Sequence, residues 1–473
     1  MRNDRITEGL YFTVDSFLLD ESGERCAVSP IELLCGDETV IVATLYSYSD
    51  ERPFVAPSLA YRWRCDDGTS GEGRVNNASS VEFCVGSETA GSLNFRVFAL
   101  DENGEEIAGC ESAYGGLIFG IEDITPVHTA PADLYDFWDS EISRLMNVLP
   151  IDHNANRYTG EVVYEYNIPE KNRFSLKRLD ASCLEALKQN GIAAPSTSAL
   201  TRYDIYELYL KSPGPMPTSV YISMPKTAKL SSLPIKIIYD PYDIHSPAPT
   251  VSPTHIAVHC THHGYEVGMP EQYYAKLDTG ILKNYGKANG GINSSYQNPH
   301  DCYMTYLILR DLQLLRFFAD PLFSSAIPSL HKFWNREFIL CGMSMGGYQA
   351  LTVSALAERL LKLVPDFKIT TVEANIPGFC NMAAATANGL KSDFFSYEDG
   401  ADYFDPVHLA HLIKGEVKLM RVGLGDETCI ASGIQAVFNS LGNSIKKSAN
   451  YLQNSSHAYL PKPKNQKWYR LEH

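Results

Sequence analysis

Gly342-Met343-Ser344-Met345-Gly346, followed by Gly347, is the stretch of this chain whose residue types and spacing most directly suggest chemistry. At average glycine usage, Gly-x-Ser-x-Gly arises by chance in a chain this long with odds of about 0.1–0.2, so context must carry the reading. The context is favourable. Phe338-Ile339-Leu340-Cys341 reads as a β run, and Tyr348 to Leu356 reads as a small, apolar helix starting from about Gly347. Strand, tight turn and helix together make a nucleophile elbow, which lifts a serine hydroxyl clear of a sheet. The flanking glycines have no Cβ to strike the neighbouring strand or helix. The helix N-terminus favours negative charge beside the hydroxyl. The expected chemistry is nucleophilic attack by Ser344.

A serine hydroxyl is a weak nucleophile at neutral pH and needs a base, which in turn needs an orienting acid. Behind such an elbow the chain order is serine, acid, histidine. After Ser344 the histidines are His408, His411, His457 and His473. The first two precede the best acid and fall in an apparent helix, and the last is the chain end. His457 remains, in the polar loop Gln453-Asn454-Ser455-Ser456-His457. The acid should follow a late sheet strand. Val417 to Gly423 reads as that strand, and Asp426 follows it, with Glu427 as the rival. The bland alternatives are a turn or cap role for Asp426 and an ordinary loop position for His457.

The negative charge that develops on the attacked carbonyl needs two backbone N–H donors. Met345, the residue after the nucleophile, is expected to give one. Tyr265 is expected to give the other, because Ile256–Cys260 reads as a short apolar strand ending in Thr261-His262-His263-Gly264-Tyr265. His259, His262 and His263 invite a metal reading, but they lack the helical i, i+4 spacing of metal histidines. No metal and no organic cofactor is expected.

These residues need a scaffold. Residues 1 to about 115 read as short strands divided by turns: Thr39–Ser47, Ser58–Arg64, Ser80–Val85 and Leu93–Leu100, with turn clusters such as Asp66-Asp67-Gly68. That pattern predicts an immunoglobulin-like β-sandwich over 1–118, with Trp63 and Tyr61 as core aromatics. A connector over 119–154 carries a helix from Leu134 to Leu149, started by Pro131 and Asp133. Over 155–473 the pattern changes. Ile205–Leu210 and Ser219–Met224 pair as a hairpin. Strand-like runs at Ile235–Tyr239, Ile256–Cys260 and Ile369–Glu373 then alternate with helical stretches such as Tyr303–Phe318. Alternation of this kind predicts an α/β fold with a mostly parallel sheet covered by helices.

Composition narrows the function classes. The chain has 473 residues, 44% hydrophobic and 20% charged, as in ordinary globular proteins. A formal net charge of −16 argues against nucleic acid and anionic membrane surfaces as partners. Eleven cysteines lie scattered without a Cys-x-x-Cys pair, so neither a zinc ribbon nor a thioredoxin-like site is expected. A Cys65–Cys84 bridge is disfavoured. Met1 to Leu10 lacks the apolar stretch of a secretion signal, which leads to a cytoplasmic expectation.

Several separate stretches resemble the acetyl xylan esterase and cephalosporin C deacetylase family of α/β-hydrolases. They are Pro131 to Trp138, His263-Gly264-Tyr265, Gly342 to Gly347, Tyr403-Phe404-Asp405-Pro406, Val422 to Cys429 and Phe438-Asn439. The longer bacterial members, with a β-sandwich before the hydrolase domain, are the closer likeness. The resemblance implies an α/β-hydrolase fold, a Ser344–Asp426–His457 triad, an acetylated carbohydrate or small ester as substrate, and no cofactor. A homo-oligomer is compatible with it. This chain departs from the family pattern. Met345 replaces the usual Gln, Ile430-Ala431 replaces a Pro-Pro pair, Ala458 stands where Glu is common, and residues 289–299 occupy the region of an absent Arg-Gly-Gln motif.

Overall fold

The computed structural model describes residues 9–49, 51–101, 103–148, 175–214, 217–242, 245–261, 263–277, 296, 298–364, 366–387 and 397–473. His262 and most of 289–299 lie outside them.

The first part of the chain makes two antiparallel sheets. One contains β1 (Leu10–Leu19), β2 (Arg25–Ala27), β3 (Glu38–Ser47) and β6 (Ser80–Gly86), in the order β2-β1-β3-β6, with β8 (Cys110–Glu111) added parallel to β1. The other contains β4 (Ala56–Cys65), β5 (Ser70–Ala78), β7 (Gly91–Leu100) and β9 (Ala113–Phe119), in the order β5-β4-β7-β9. Alternating apolar residues of both sheets meet between them, among them Phe12, Ile41, Leu59, Val81, Phe95 and Leu117. Tyr61 and Trp63 lean on this core from its rim and are not at its centre. Trp63 instead stacks on Phe83, with ring centroids 4.7 Å apart. The eleven cysteines are free, so Cys65 and Cys84 are not bridged.

The second part forms a ten-stranded sheet. Its strands are β10 (Ser175–Arg178), β11 (Tyr203–Leu210), β12 (Thr218–Pro225), β13 (Leu233–Tyr239), β14 (Ile256–Cys260), β15 (Trp334–Met343), β16 (Lys368–Asn375), β17 (Glu416–Gly423), β18 (Lys447–Gln453) and β19 (Lys467–Glu472). Their order is β10-β11-β12-β14-β13-β15-β16-β17-β18-β19. The six strands from β14 to β18 run parallel, and the pairs outside them are antiparallel. The order reverses at β13: the chain passes to β14 on one side and later to β15 on the other. Crevices for ligands open at the carboxyl ends of strands at such a switch point. The elbow at the end of β15 sits at this one.

The Met345–Leu360 helix covers the sheet and is almost wholly buried. It packs on the Tyr303–Ala319 helix, whose seventeen residues are all buried. The helix in the connector spans Leu134–Met146. Asp133 is its N-cap residue but makes no side-chain cap bond. Its carboxylate accepts from the Tyr403 hydroxyl at 2.6 Å instead. Among the described residues no helix is long and apolar enough to cross a membrane.

One buried carboxyl ties the two central helices. Gln349 Nε2 donates to Asp311 Oδ2 at 2.7 Å. Burial pushes the Asp311 carboxyl up to about 7 against the opposing hydrogen bond from Gln349 and charge of Arg310. A carboxyl raised in this way stabilises the fold fully below its ordinary value of 3.8. The contribution is lost as pH rises to about 7. Asp311→Asn keeps an acceptor for Gln349 and never ionises. The variant should therefore gain stability relative to the native chain between pH 5 and pH 8. Urea denaturation at the two pH values checks this, and a gap that narrows with pH would contradict it.

Candidate active site

Ser344 stands between the last residue of β15 and the first residue of its helix. Its backbone has φ 56° and ψ −118°, a conformation that costs a non-glycine residue energy. Three bonds hold it there. Ser344 N donates to Asn375 O at 2.9 Å, and its carbonyl accepts from Gly378 N at 2.9 Å and Tyr348 N at 3.0 Å. The glycines are required by contact. A Cβ on Gly346 would lie 2.2 Å from Tyr239 O, and one on Gly342 would lie 2.3 Å from the Gly346 carbonyl carbon. Sequence and local structure agree here.

Asp426 and His457 come together. His457 Nδ1 lies 3.0 Å from Asp426 Oδ2, and Asp426 is fully buried. A carboxylate can only accept, so Nδ1 is the donor of this pair, which in the neutral ring leaves Nε2 as the acceptor. The other Asp426 oxygen accepts from the Thr428 and Cys429 amides, each at 2.8 Å. Glu427, the rival acid, is exposed. The other late histidines are placed differently. His408 is paired with Asp402, the His411 ring nitrogen is 2.7 Å from the Tyr135 hydroxyl, and the His473 backbone closes β19 onto Lys447. His408 and His411 sit in short 3-10 turns rather than in a continuous helix.

Ser344 is within hydrogen-bonding reach of the Cys429 thiol, a buried group that desolvation pushes well above its ordinary range. A Ser344–His457 hydrogen bond is not among those formed by the described residues. The gap is short. Cys429 Sγ, an Asp426 oxygen and a His457 nitrogen all lie within 4.8 Å of one another. These three could reach a soft divalent cation, but the Asp426 oxygens are already committed to two amides and the imidazole. Among the described residues the earlier histidines form no such group. His259 bonds Asp240 and Ala248, and His263 Nδ1 lies 2.7 Å from the Tyr303 hydroxyl.

The sheet order bears on the second oxyanion donor. The strand beside β15 is β13, so the loop leaving the sheet next to the elbow is Asp240-Pro241-Tyr242. Asp240 O would be 2.6 Å from a Cβ on Gly346. Tyr265 follows β14, one strand further away. Its ring lies behind His263, which packs between Tyr242 (5.2 Å) and Tyr265 (5.4 Å). Met345 is the first residue of the helix, where the amide has no intrahelical acceptor.

A cavity of about 540 Å³ opens beside this loop, lined by Asp240, His245, Ser246, His259, Glu271 and Tyr274 among others. Burial draws the His259 imidazole down, but the hydrogen bond and charge of Asp240 outweigh it and hold it above its ordinary range. Other residues also shape the site. Asp405 accepts from the amides of Asn381, Met382 and Val407, and so fixes the strained segment containing Ile376 (φ 38°) and Phe379 (φ 56°). Asn94, Gln453 and Asn454 join the site to the sandwich. A polar pair before His457 was the only signal for the last two.

Strand order, elbow and late loops together define an α/β-hydrolase. Residues 398–473, which hold Asp405, Asp426 and His457, match the family model described as acetyl xylan esterase (AXE1). Over that segment the chain is similar to acetyl xylan esterases. Among solved structures it is similar to acetyl xylan esterase 1 from Thermoanaerobacterium sp. JW/SL YS485. The TM-score is 0.50 at 16% identity, covering 72% of this chain and 93% of that one. An acetyl xylan esterase from Paenibacillus sp. R4 aligns with TM-score 0.48 at 17% identity, over 72% of this chain and 94% of that one. At such identity the likeness concerns the fold. No curated protein matches the sequence.

Proposed function

We propose that the protein is a serine esterase that removes O-acetyl groups from carbohydrates, with Ser344 as nucleophile, His457 as base and Asp426 as orienting acid. The observation that carries this reading is the 3.0 Å contact between His457 Nδ1 and Asp426 Oδ2, on loops that end beside the strained Ser344 elbow. The reading requires the Ser344 hydroxyl to reach His457 Nε2. Contacts of this kind commonly tighten only when substrate binds.

Ser344 Oγ attacks the acetyl carbonyl carbon while His457 Nε2 takes its proton. Asp426 stabilises the imidazolium. The tetrahedral oxyanion is held by the Met345 amide and a second backbone amide. Tyr242 is the better candidate for that second donor, since its loop leaves the strand adjacent to the elbow, and Tyr265 is the alternative. His457 then protonates the departing sugar oxygen, and water releases acetate by the reverse sequence.

The reading is tested with a fluorophosphonate probe, whose phosphorus bonds to an activated serine as fluoride leaves. Mass-spectrometric mapping should find the adduct on Ser344, and acetyl esters should turn over faster than butyryl or longer ones. An unlabelled Ser344 rejects the nucleophile. Labelling combined with a preference for long acyl chains or peptide amides rejects deacetylation alone.

A further inference from the structure

Contacts between the N-terminal sandwich and the hydrolase part reach the Ala431–Ser440 helix and the last strand, but a buried set of them falls on the two loops that carry Asp426 and His457. Asn94, on β7, is 3% exposed, and its Nδ2 donates to the carbonyl of Asp426 itself at 3.0 Å. Gly116, on β9, exchanges both of its backbone groups with one side chain. Its N–H donates to Gln453 Oε1 at 3.1 Å, and its carbonyl accepts from Gln453 Nε2 at 2.9 Å. The next residue, Asn454, accepts from Tyr114 N at 3.0 Å and donates to Phe12 O at 2.7 Å. Asn454 has φ 55°, a left-handed conformation that asparagine tolerates and that its two side-chain bonds can hold. Gln453 and Asn454 lie four and three residues before His457.

The backbones meet just as closely. A Cβ on Gly116 would fall 1.8 Å from Leu424 O, and one on Gly425 would fall 2.2 Å from Tyr114 O. The acid loop therefore rests directly on β9, with no side chain between. Within the hydrolase the two loops are also bonded to each other, through Leu424 N to Leu452 O and Gly425 N to Ser455 O, both at 3.0 Å. A linker-joined accessory module would need none of these buried bonds to backbone beside the acid and the base.

We propose that the sandwich is a positioning element of the active site, in which Asn94 and Gln453 hold the Asp426 and His457 loops at the spacing that proton transfer requires. The inference rests on the triad reading above. Asn94 and Gln453 touch neither substrate nor reacting atoms, and they act through the loops they hold. Catalytic groups must be held to within about 0.5 Å, and a displacement of about 1 Å can cost about a hundredfold in rate.

The test uses the full chain in native, Asn94→Ala, Gln453→Ala and Leu59→Ala forms. Leu59 lies in the sandwich core, away from the interface, and controls for general destabilisation. At 25 °C, kcat on p-nitrophenyl acetate should fall about 10- to 100-fold in each interface variant, with KM within about twofold of the native value. The acid limb of the kcat/KM profile should also move, because the imidazole loses a well-placed carboxylate. Leu59→Ala should lower Tm and leave the kcat of the folded fraction and the pH profile unchanged. Native kcat in both interface variants, or a loss that follows only the unfolded fraction, would overturn the positioning role. Failure of the native chain to label at Ser344 would remove the triad reading, and the positioning role with it. Labelling with unaltered variant rates would remove the positioning role alone.

Discussion

Ser344→Ala should reduce p-nitrophenyl acetate turnover by about ten-thousand-fold or more, with no more than a small change in Tm. Removing the nucleophile of a triad costs about as much as removing all three members, because the three work as a unit. The structure gives the reason for expecting little else to change. The three bonds that hold the elbow use the backbone of residue 344, so alanine inherits them. The strained φ of 56° is imposed by the strand and helix around it, and alanine bears it as serine does. The hydroxyl contact with Cys429 is lost, and a buried thiol tolerates that loss better than a charged group would. Turnover within tenfold of native in a folded Ser344→Ala protein would reject the nucleophile assignment.

Asp426→Asn should lower kcat by about ten-thousand-fold near neutral pH while leaving KM and folding nearly intact. The two oxygens of Asp426 face different partners. One accepts from two backbone amides at 2.8 Å, and the other faces His457 Nδ1 at 3.0 Å. An asparagine must keep its carbonyl toward the two amides, since its NH₂ group cannot accept. The NH₂ then points at the imidazole. His457 is forced to accept at Nδ1 and to carry its proton at Nε2, the wrong tautomer for taking a proton from Ser344. The substitution changes one atom and leaves size and backbone bonds alone, so the fall should appear in kcat. Steady-state kinetics beside a thermal melt separate the two. A folded variant retaining a tenth or more of native kcat would mean that another acid, such as Glu427, orients the base.

The same geometry explains why a mainly positioning interface would matter. Asp426 gets its orientation from the amides of its own loop, and that loop gets its place from β7 and β9. On the proposed triad, chemistry at Ser344 would depend on contacts made by residues far earlier in the chain.

Much of this was legible in local sequence, and particular residues show why. The elbow was, because Gly342, Ser344 and Gly346 serve a steric need that acts within five residues. The strand Ile256–Cys260 matches the structure end to end, and the run Ile235–Tyr239 forms all but the first two residues of the strand Leu233–Tyr239. The strand Lys447–Gln453 was not legible, though it lies beside β17 and leads into the His457 loop. Its residues Lys-Ser-Ala-Asn-Tyr-Leu-Gln look like a polar surface segment, yet six of the seven are buried. Lys447 shows how. Its ammonium donates to the carbonyls of Phe438 and Leu441, so a charged residue is satisfied inside the fold by partners that no pattern reveals.

The sequence by itself determined the things that depend on near neighbours: a bent serine between strand and helix, and the change from short antiparallel strands to alternating strands and helices. Tertiary structure alone decided which loop borders the elbow. That is a matter of sheet order, which places β13 beside β15 and moves β14 one strand away. It also decided that the front sandwich touches the acid and base loops. Asn94 and Asp426 are separated by 332 residues, and a hydrogen bond of 3.0 Å between them is set by packing, which a linear pattern does not encode.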